Sequence, residues 1–157
     1  MERKFKSREE LKLIVRRLRD MGYRVGLING VFDLIHTGHI EVIKEAKKVC
    51  DILIIALNSD SSTKRIKGVN RPILNEKDRI TILSAIEDVD FITLFDEETA
   101  SETLRIIMPD FHIKGVEYKN KNLPEKCISG KLGIKTILLG TKKLNSTSDI
   151  IKRIKSL

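Results

Sequence analysis

The sequence predicts an α/β protein with a doubly wound parallel sheet in a three-layer α/β/α sandwich, folded as a single domain. Three observations predict it. Apolar runs suited to strands alternate with segments whose apolar residues recur at helical spacing. The run "DILIIALNS" is almost continuously apolar, as a parallel strand covered on both faces requires. A length of 157 residues with 41% hydrophobic content suits one domain with one hydrophobic core.

The elements follow in order. "SREELKLIVRRLRDMG" opens with the capping-box pattern Ser7 to Glu10, carries Leu11, Ile14, Val15 and Leu18 on one face, and stops at Gly22. Residues 1–22 are therefore a leading amphipathic helix, and residues 23–157 are expected to form the core. "RVGLINGVF" reads as a strand. "GHIEVIKEAKKV" reads as a helix with Ile40, Ile43, Ala46 and Val49 turned inward. After the central strand "DILIIALNS", Lys64 and Arg65 read as solvated loop residues, and a helix follows the Pro72 turn within "RPILNEKDRITILSAIEDV". "DFITLF" is a short strand, and a second capping box, Thr99 to Glu102, predicts a helix that ends at Pro109. "DFHIKG" and "KTILLG" read as strands around a short helix near "LPEKCISGKLG", and "STSDIIKRIK" closes the chain as a helix.

Composition excludes several function classes. No apolar run approaches the roughly 20 residues that span a bilayer, and "MERKFKSREE" lacks the apolar segment of a secretory signal, so a cytoplasmic protein is expected, without a membrane partner. Cys50 and Cys127 each stand alone in a helical segment, which supports neither a disulfide framework nor a zinc ribbon. The net charge of +8 raises nucleic-acid binding. Basic residues are scattered among 22 acidic ones, however, and aromatics make up only 4%, so no nucleic-acid partner is expected and a site for polyphosphate accounts for the charge.

The informative stretch is "NGVFDLIHTGHIEV", from Asn29 to Val42, where a strand gives way to a helix. Ligands of doubly wound sheets bind beyond the carboxyl ends of the strands. Unpaired N–H groups and the dipole of a helix amino terminus favour a phosphate there. His36 and His39 project roughly the same way from that end, and Gly30 and Gly38 let the backbone approach a bound phosphate. A metal site needs further ligands, and His112, the only other histidine, lies in an apolar strand, so no protein metal site is expected. Asp33 serves equally as a cap of the following turn.

"HTGH" after "NGVFDLI" resembles the HxGH signature of the cytidylyltransferase-like nucleotidyltransferase superfamily, which implies a Rossmann-like fold. "LNSDSSTKRIKGVNRPILNEKDRITILSAIEDVD", "PDFHIKGVEY" and "NSTSDIIKRI" are similar to successive segments of the ADP-heptose synthase adenylyltransferase domain, and the leading helix resembles the segment before that domain. The sequence departs from the pattern at Leu144, where a glycine is usual, and at Ser148, where a threonine is. The bifunctional relatives also carry a sugar kinase, so the resemblance implies a stand-alone form with a separate kinase, and a homodimer.

The implied reaction joins ATP and a phosphorylated sugar, heptose 1-phosphate above all, to give ADP-heptose and pyrophosphate, with Mg²⁺ bound through the ATP phosphates. A cytidylyltransferase of the glycerol 3-phosphate type, and a non-catalytic nucleotide- or RNA-binding module, are the alternatives. The resemblance implies catalytic roles for His36, His39, Lys67 and Arg79. It implies nucleotide contacts for Asn29, Gly30, Phe32, Asp33, Gly38, Lys114, Ser146, Thr147 and Ser148, and acceptor contacts for Asp60, Arg71, Gly115 and Tyr118. A salt bridge on a solvated helix face for Arg79, a turn cap for Asp60 and a helix cap for Ser146 stay open beside those roles.

Overall fold

A computed structural model describes residues 3–141 and 146–157. Among the described residues five parallel strands lie in the order β3-β2-β1-β4-β5. They are β1 Val25–Gly30, β2 Ile52–Asn58, β3 Phe91–Phe95, β4 Phe111–Gly115 and β5 Lys135–Leu139. Helices α1 Arg8–Asp20, α2 Thr37–Val49, α3 Asp60–Lys67, α4 Glu76–Ser84, α5 Ser101–Ile107, α6 Pro124–Lys131 and α7 Thr147–Lys155 fill the connections. The chain winds outward from β1 through β2 to β3, then returns to pair β4 with the other side of β1, Leu27 opposite His112. That reversal leaves a crevice where the connections leaving β1 and β4 diverge.

Both faces of the sheet are covered, and β2 shows why its sequence is unbroken in hydrophobicity. Leu53, Ile55 and Leu57 point into one core with Ile43 of α2 and Leu83 of α4. Ile54 and Ala56 point into the other with Leu11 of α1 and Leu104 of α5. Each such leucine or isoleucine withdrawn from water contributes about 1.5 to 3 kcal/mol. At Gly26 β1 runs so close to α2 that a Cβ would stand 2.9 Å from both Cys50 Sγ and Ile113 Cδ1.

The expected capping box of α1 is present, with Ser7 and Glu10 each bonding the other's backbone, and Gly22 ends the helix at φ +88°. Two readings are corrected. Lys64 and Arg65, expected in a loop, lie in α3, which the Ser59 side chain caps by accepting from Ser62 N. Serine and aspartate compete with helical bonds inside a helix but satisfy its orphan donors at the start, so a turn-like composition can announce a helix. The Thr99 to Glu102 box does not form either: Ala100 is the N-cap of α5 and no side chain of its own caps it. Its N–H instead donates to Glu125 Oε1 at 3.1 Å, a carboxylate brought by α6. Among the described residues no helix is long and apolar enough to cross a membrane. Leu144 lies outside the described residues.

Candidate active site

The chain leaves β1 through a strained turn. Phe32 and Leu34 have φ of 51° and 47°, a region that costs a residue with a side chain on the order of 1 to 3 kcal/mol. Surrounding bonds hold it there. Phe32 is buried in the α2-side core, and the buried Asp33 carboxylate accepts from Arg71 Nε at 2.9 Å, Ile73 N at 2.7 Å and Leu74 N at 3.0 Å. Burial alone would raise the Asp33 carboxyl, but those two backbone N–H groups and the Arg71 guanidinium outweigh it and hold the group below its ordinary range. Asp33 is therefore a clamp on residues some 40 positions away rather than a cap of its own turn. Thr147 Oγ1 donates to Asp33 O at 2.6 Å and so ties the start of α7 to the same loop.

The histidines complete the helix start. His36 is the N-cap of α2 and His39 its third residue, and they form a capping box of imidazoles. Gly38 N donates to His36 Nδ1 at 3.2 Å and His36 N to His39 Nδ1 at 3.3 Å. An Nδ1 that accepts a hydrogen bond leaves the proton of a neutral imidazole on Nε2, so both rings carry their N–H donor there. The rings lie 3.9 Å apart, and His39 also packs against Phe32 at 5.1 Å.

A cavity of about 630 Å³ opens over the carboxyl ends of β1 and β4. His36, Gly38, His39 and the amino end of α7 with Ser146, Thr147 and Ser148 line one side. Lys67 and Arg71 enter from the segment after β2, and Asn29, Gly30, Phe32 and Asp33 form the floor. Lys114, Gly115 and Tyr118 line the β4 side. A Cβ at Gly115 would lie 2.1 Å from Glu117 Oε2, a flexible carboxylate that folds back over the glycine. A second concavity, about 720 Å³ between α1 and α5, holds none of the expected catalytic, nucleotide or acceptor residues.

Arg79 and Asp60 are not among the lining residues. Arg79 is fully buried; its guanidinium donates to Val31 O at 2.6 Å, Asn58 O at 2.9 Å and Asp60 Oδ1 at 2.7 Å. It ties the ends of β1 and β2 together from behind the cavity wall, with Asp60 as its carboxylate. The same geometry replaces the solvated salt bridge that the sequence left open for it.

Residues that sequence reasoning missed also line the cavity: Glu41, Glu98, Thr99, Leu123 and Glu125. Glu125 is 4% exposed, and nothing in "LPEKC" distinguishes it from a solvated helix-start glutamate. His112, expected in an apolar strand, lies beside it on β4. Its Nε2 stands 2.8 Å from Asn29 Oδ1, and burial, with the Lys114 charge second, pushes its pKa down to about 4. Burial likewise lowers Lys114 against the pull of Glu125 and Glu117, and burial followed by the Glu117 charge raises Tyr118.

Two helix amino termini, two imidazoles and the cations Lys67, Arg71 and Lys114 surround one crevice of a doubly wound sheet, an arrangement chemically suited to phosphate. The chain belongs to the cytidylyltransferase-like family, whose model matches residues 27–153, and it is a nucleotidyltransferase. It is 40% identical over 154 residues to the bifunctional protein HldE of Campylobacter jejuni, and 38% identical over 149 residues to that of Aliarcobacter butzleri. These matches cover 98% and 95% of the chain but only 32% and 30% of the relatives, so the chain spans about a third of their length. A solved structure titled as a lipopolysaccharide core biosynthesis protein from Thermoplasma volcanium superposes with a TM-score of 0.65 and 28% identity, covering 78% of this chain and all of that one. The pantoate-beta-alanine ligase of Francisella tularensis, at TM-score 0.62 and 15% identity over 96% of this chain and 76% of that one, shares the fold.

Proposed function

We propose that the chain transfers AMP from ATP to a sugar phosphate, heptose 1-phosphate in the first place, releasing pyrophosphate and forming ADP-heptose. The observation that carries this reading is the imidazole-capped start of α2 facing the same cavity as Lys67, Arg71 and Thr147. The relatives named HldE and the likeness to the lipopolysaccharide protein support the sugar acceptor.

In this mechanism an acceptor phosphate oxygen attacks the α-phosphorus, and the bond to the bridging oxygen of pyrophosphate breaks. The protein supplies little covalent chemistry; positioning and neutralisation of developing negative charge lower the barrier. His36 and His39 donate their Nε2–H groups to the triphosphate as charge builds on it. Lys67 and Arg71 add positive charge, and the amino ends of α2 and α7 add backbone dipoles. Asp33 acts by positioning: it holds Arg71 at the cavity and fixes the turn that presents the histidines. Arg79 and Asp60 position the floor from beneath. Mg²⁺ enters as part of the nucleotide substrate. The homodimer and the separate sugar kinase belong to this proposal and rest on the resemblance.

Pyrophosphate release with Mg²⁺ tests it, across ATP, CTP and GTP against heptose 1-phosphate anomers and glycerol 3-phosphate, with His39→Ala as the blank. Turnover confined to ATP and a heptose 1-phosphate is expected. Turnover with CTP and glycerol 3-phosphate would overturn the substrate assignment while keeping the site.

A further inference from the structure

On the β4 side of the cavity, three polar side chains from separate elements meet with bonding capacity unspent. Lys114 is 6% exposed and Glu125 4% exposed, yet both line the cavity. Burying opposite charges is costly unless they pair closely. These two form no ion pair with each other among the described residues, although the Glu125 charge acts on Lys114 across the gap. Lys114 Nζ makes one long bond, 3.3 Å to Asn29 Oδ1, and stands 4.5 Å from the Tyr118 ring centre. Glu125 Oε1 accepts from Ala100 N at 3.1 Å and from Asn29 Nδ2 at 3.5 Å, and its Oε2 takes no hydrogen bond among the described residues.

His112 fixes the third member. Asn29 Oδ1 lies 2.8 Å from His112 Nε2 and 3.3 Å from Lys114 Nζ, so the amide oxygen is held by two donors and the NH₂ group is turned toward Glu125. The Lys114 ammonium can only donate, so the amide atom facing it is the oxygen, and neutral His112 then carries its proton on Nε2 and donates to that same oxygen.

A group seated between Lys114 and Glu125 must accept from the first and donate to the second. A phosphate oxygen accepts only, and Glu125 would repel it. An ammonium donates only, and Lys114 would repel it. A hydroxyl does both. We propose that Asn29, Lys114 and Glu125 form a sugar-hydroxyl subsite, in which Lys114 and the Asn29 amide donate to a ring hydroxyl and Glu125 accepts from it. His112 is a positioning residue that acts through Asn29. The sugar is the ribose of the nucleotide or the ring of the acceptor. The second source rests on the function proposed above; the first needs only that the chain binds a nucleotide.

Substrates lacking one hydroxyl, combined with Glu125→Gln, decide it. ATP is compared with 2′-deoxy-ATP and 3′-deoxy-ATP by titration calorimetry, and the sugar phosphate with its deoxy analogues by steady-state kinetics. For one of the two sugars, loss of one hydroxyl is expected to weaken binding or raise KM about tenfold in the wild type and less than twofold in Glu125→Gln. The sugar that shows this non-additivity is the one in the subsite. Losses that simply add in both arms would overturn the subsite. So would a variant whose affinity depends on the base instead of on hydroxyls. A wild type that binds ATP and turns over no sugar phosphate sinks the proposed function, and the ribose arm then decides the subsite alone. The deoxy substrates probe the wild-type protein, so a Glu125→Gln chain that failed to fold would still leave a loss of less than twofold for every hydroxyl as the result that overturns the proposal.

Discussion

The cavity has two walls built by different means. On the α2 side, the chemistry lies within Asn29 to His39: a strand end, a strained turn and two imidazoles three residues apart that bond each other's backbone. On the β4 side, the array of Asn29, His112, Lys114 and Glu125 spans 96 positions and exists only because β1 pairs with β4 and α6, packed on α5 and β5, brings Glu125 to Asn29. The first wall is a local helix-capping device and the second a product of topology. The difference shows in their electrostatics. The α2 wall offers dipoles and donors to anionic oxygens. The β4 wall holds a buried cation and a buried carboxylate that leave each other partly unsatisfied.

The sharpest way to break this division is Arg79, which supports the floor beneath both walls. Arg79→Ala should lower the unfolding free energy by about 3 to 5 kcal/mol, because it leaves two carbonyls and the Asp60 carboxylate without their buried partner. Urea denaturation measures this. An undiminished stability with a large loss of turnover would instead put Arg79 at the phosphates.

Next in size, His36→Ala and His39→Ala should each cut kcat by about 10²- to 10³-fold, roughly 3 to 4 kcal/mol in the barrier, as loss of a donor to developing charge does. Losing the imidazole cap should cost folding only about 1 kcal/mol. Steady-state kinetics and thermal unfolding on the same samples separate the two effects. A loss below tenfold in both variants would remove the histidines from the chemistry.

The β4 wall is sharpened by pH. His112 has a folded pKa of about 4 against an ordinary 6.5, so the unfolded chain binds the extra proton first as pH falls. The stability from neutral His112 is fully present above pH 6.5 and is lost progressively between 6.5 and 4, on the order of 3 kcal/mol over that window. His112→Leu should flatten that part of the stability–pH curve, as followed by urea midpoints at pH 7 and 5. An equal slope in the variant would mean that another group carries it. The smallest effect is expected on the exposed Arg105–Glu102 pair, where Arg105→Ala should change stability by about 0.5 kcal/mol or less.

The same contrast explains what the sequence revealed. The parallel sheet was legible because β2 is apolar throughout, and α1 because Ser7 and Glu10 announce its start. The histidine pair and glycines pointed to the first wall because helix capping and phosphate binding act over a few residues. Arg71 and Arg79 looked alike in the sequence, yet one reaches the cavity and the other is spent on carbonyls, a difference set by where α4 packs. Glu125 gave no signal because its burial depends on α5 and β1, neither of which is near it in the chain. The start of α5 was misread for the same reason: its cap is that distant carboxylate rather than Thr99.

The most direct test of the central claim is the identity of the product formed from ATP, Mg²⁺ and heptose 1-phosphate, measured by mass spectrometry alongside pyrophosphate. The account predicts an ADP-linked heptose and pyrophosphate in equal amounts, both abolished in His39→Ala. Nucleotide binding with no sugar nucleotide formed from any phosphorylated sugar, or a product linked through CDP, would contradict it.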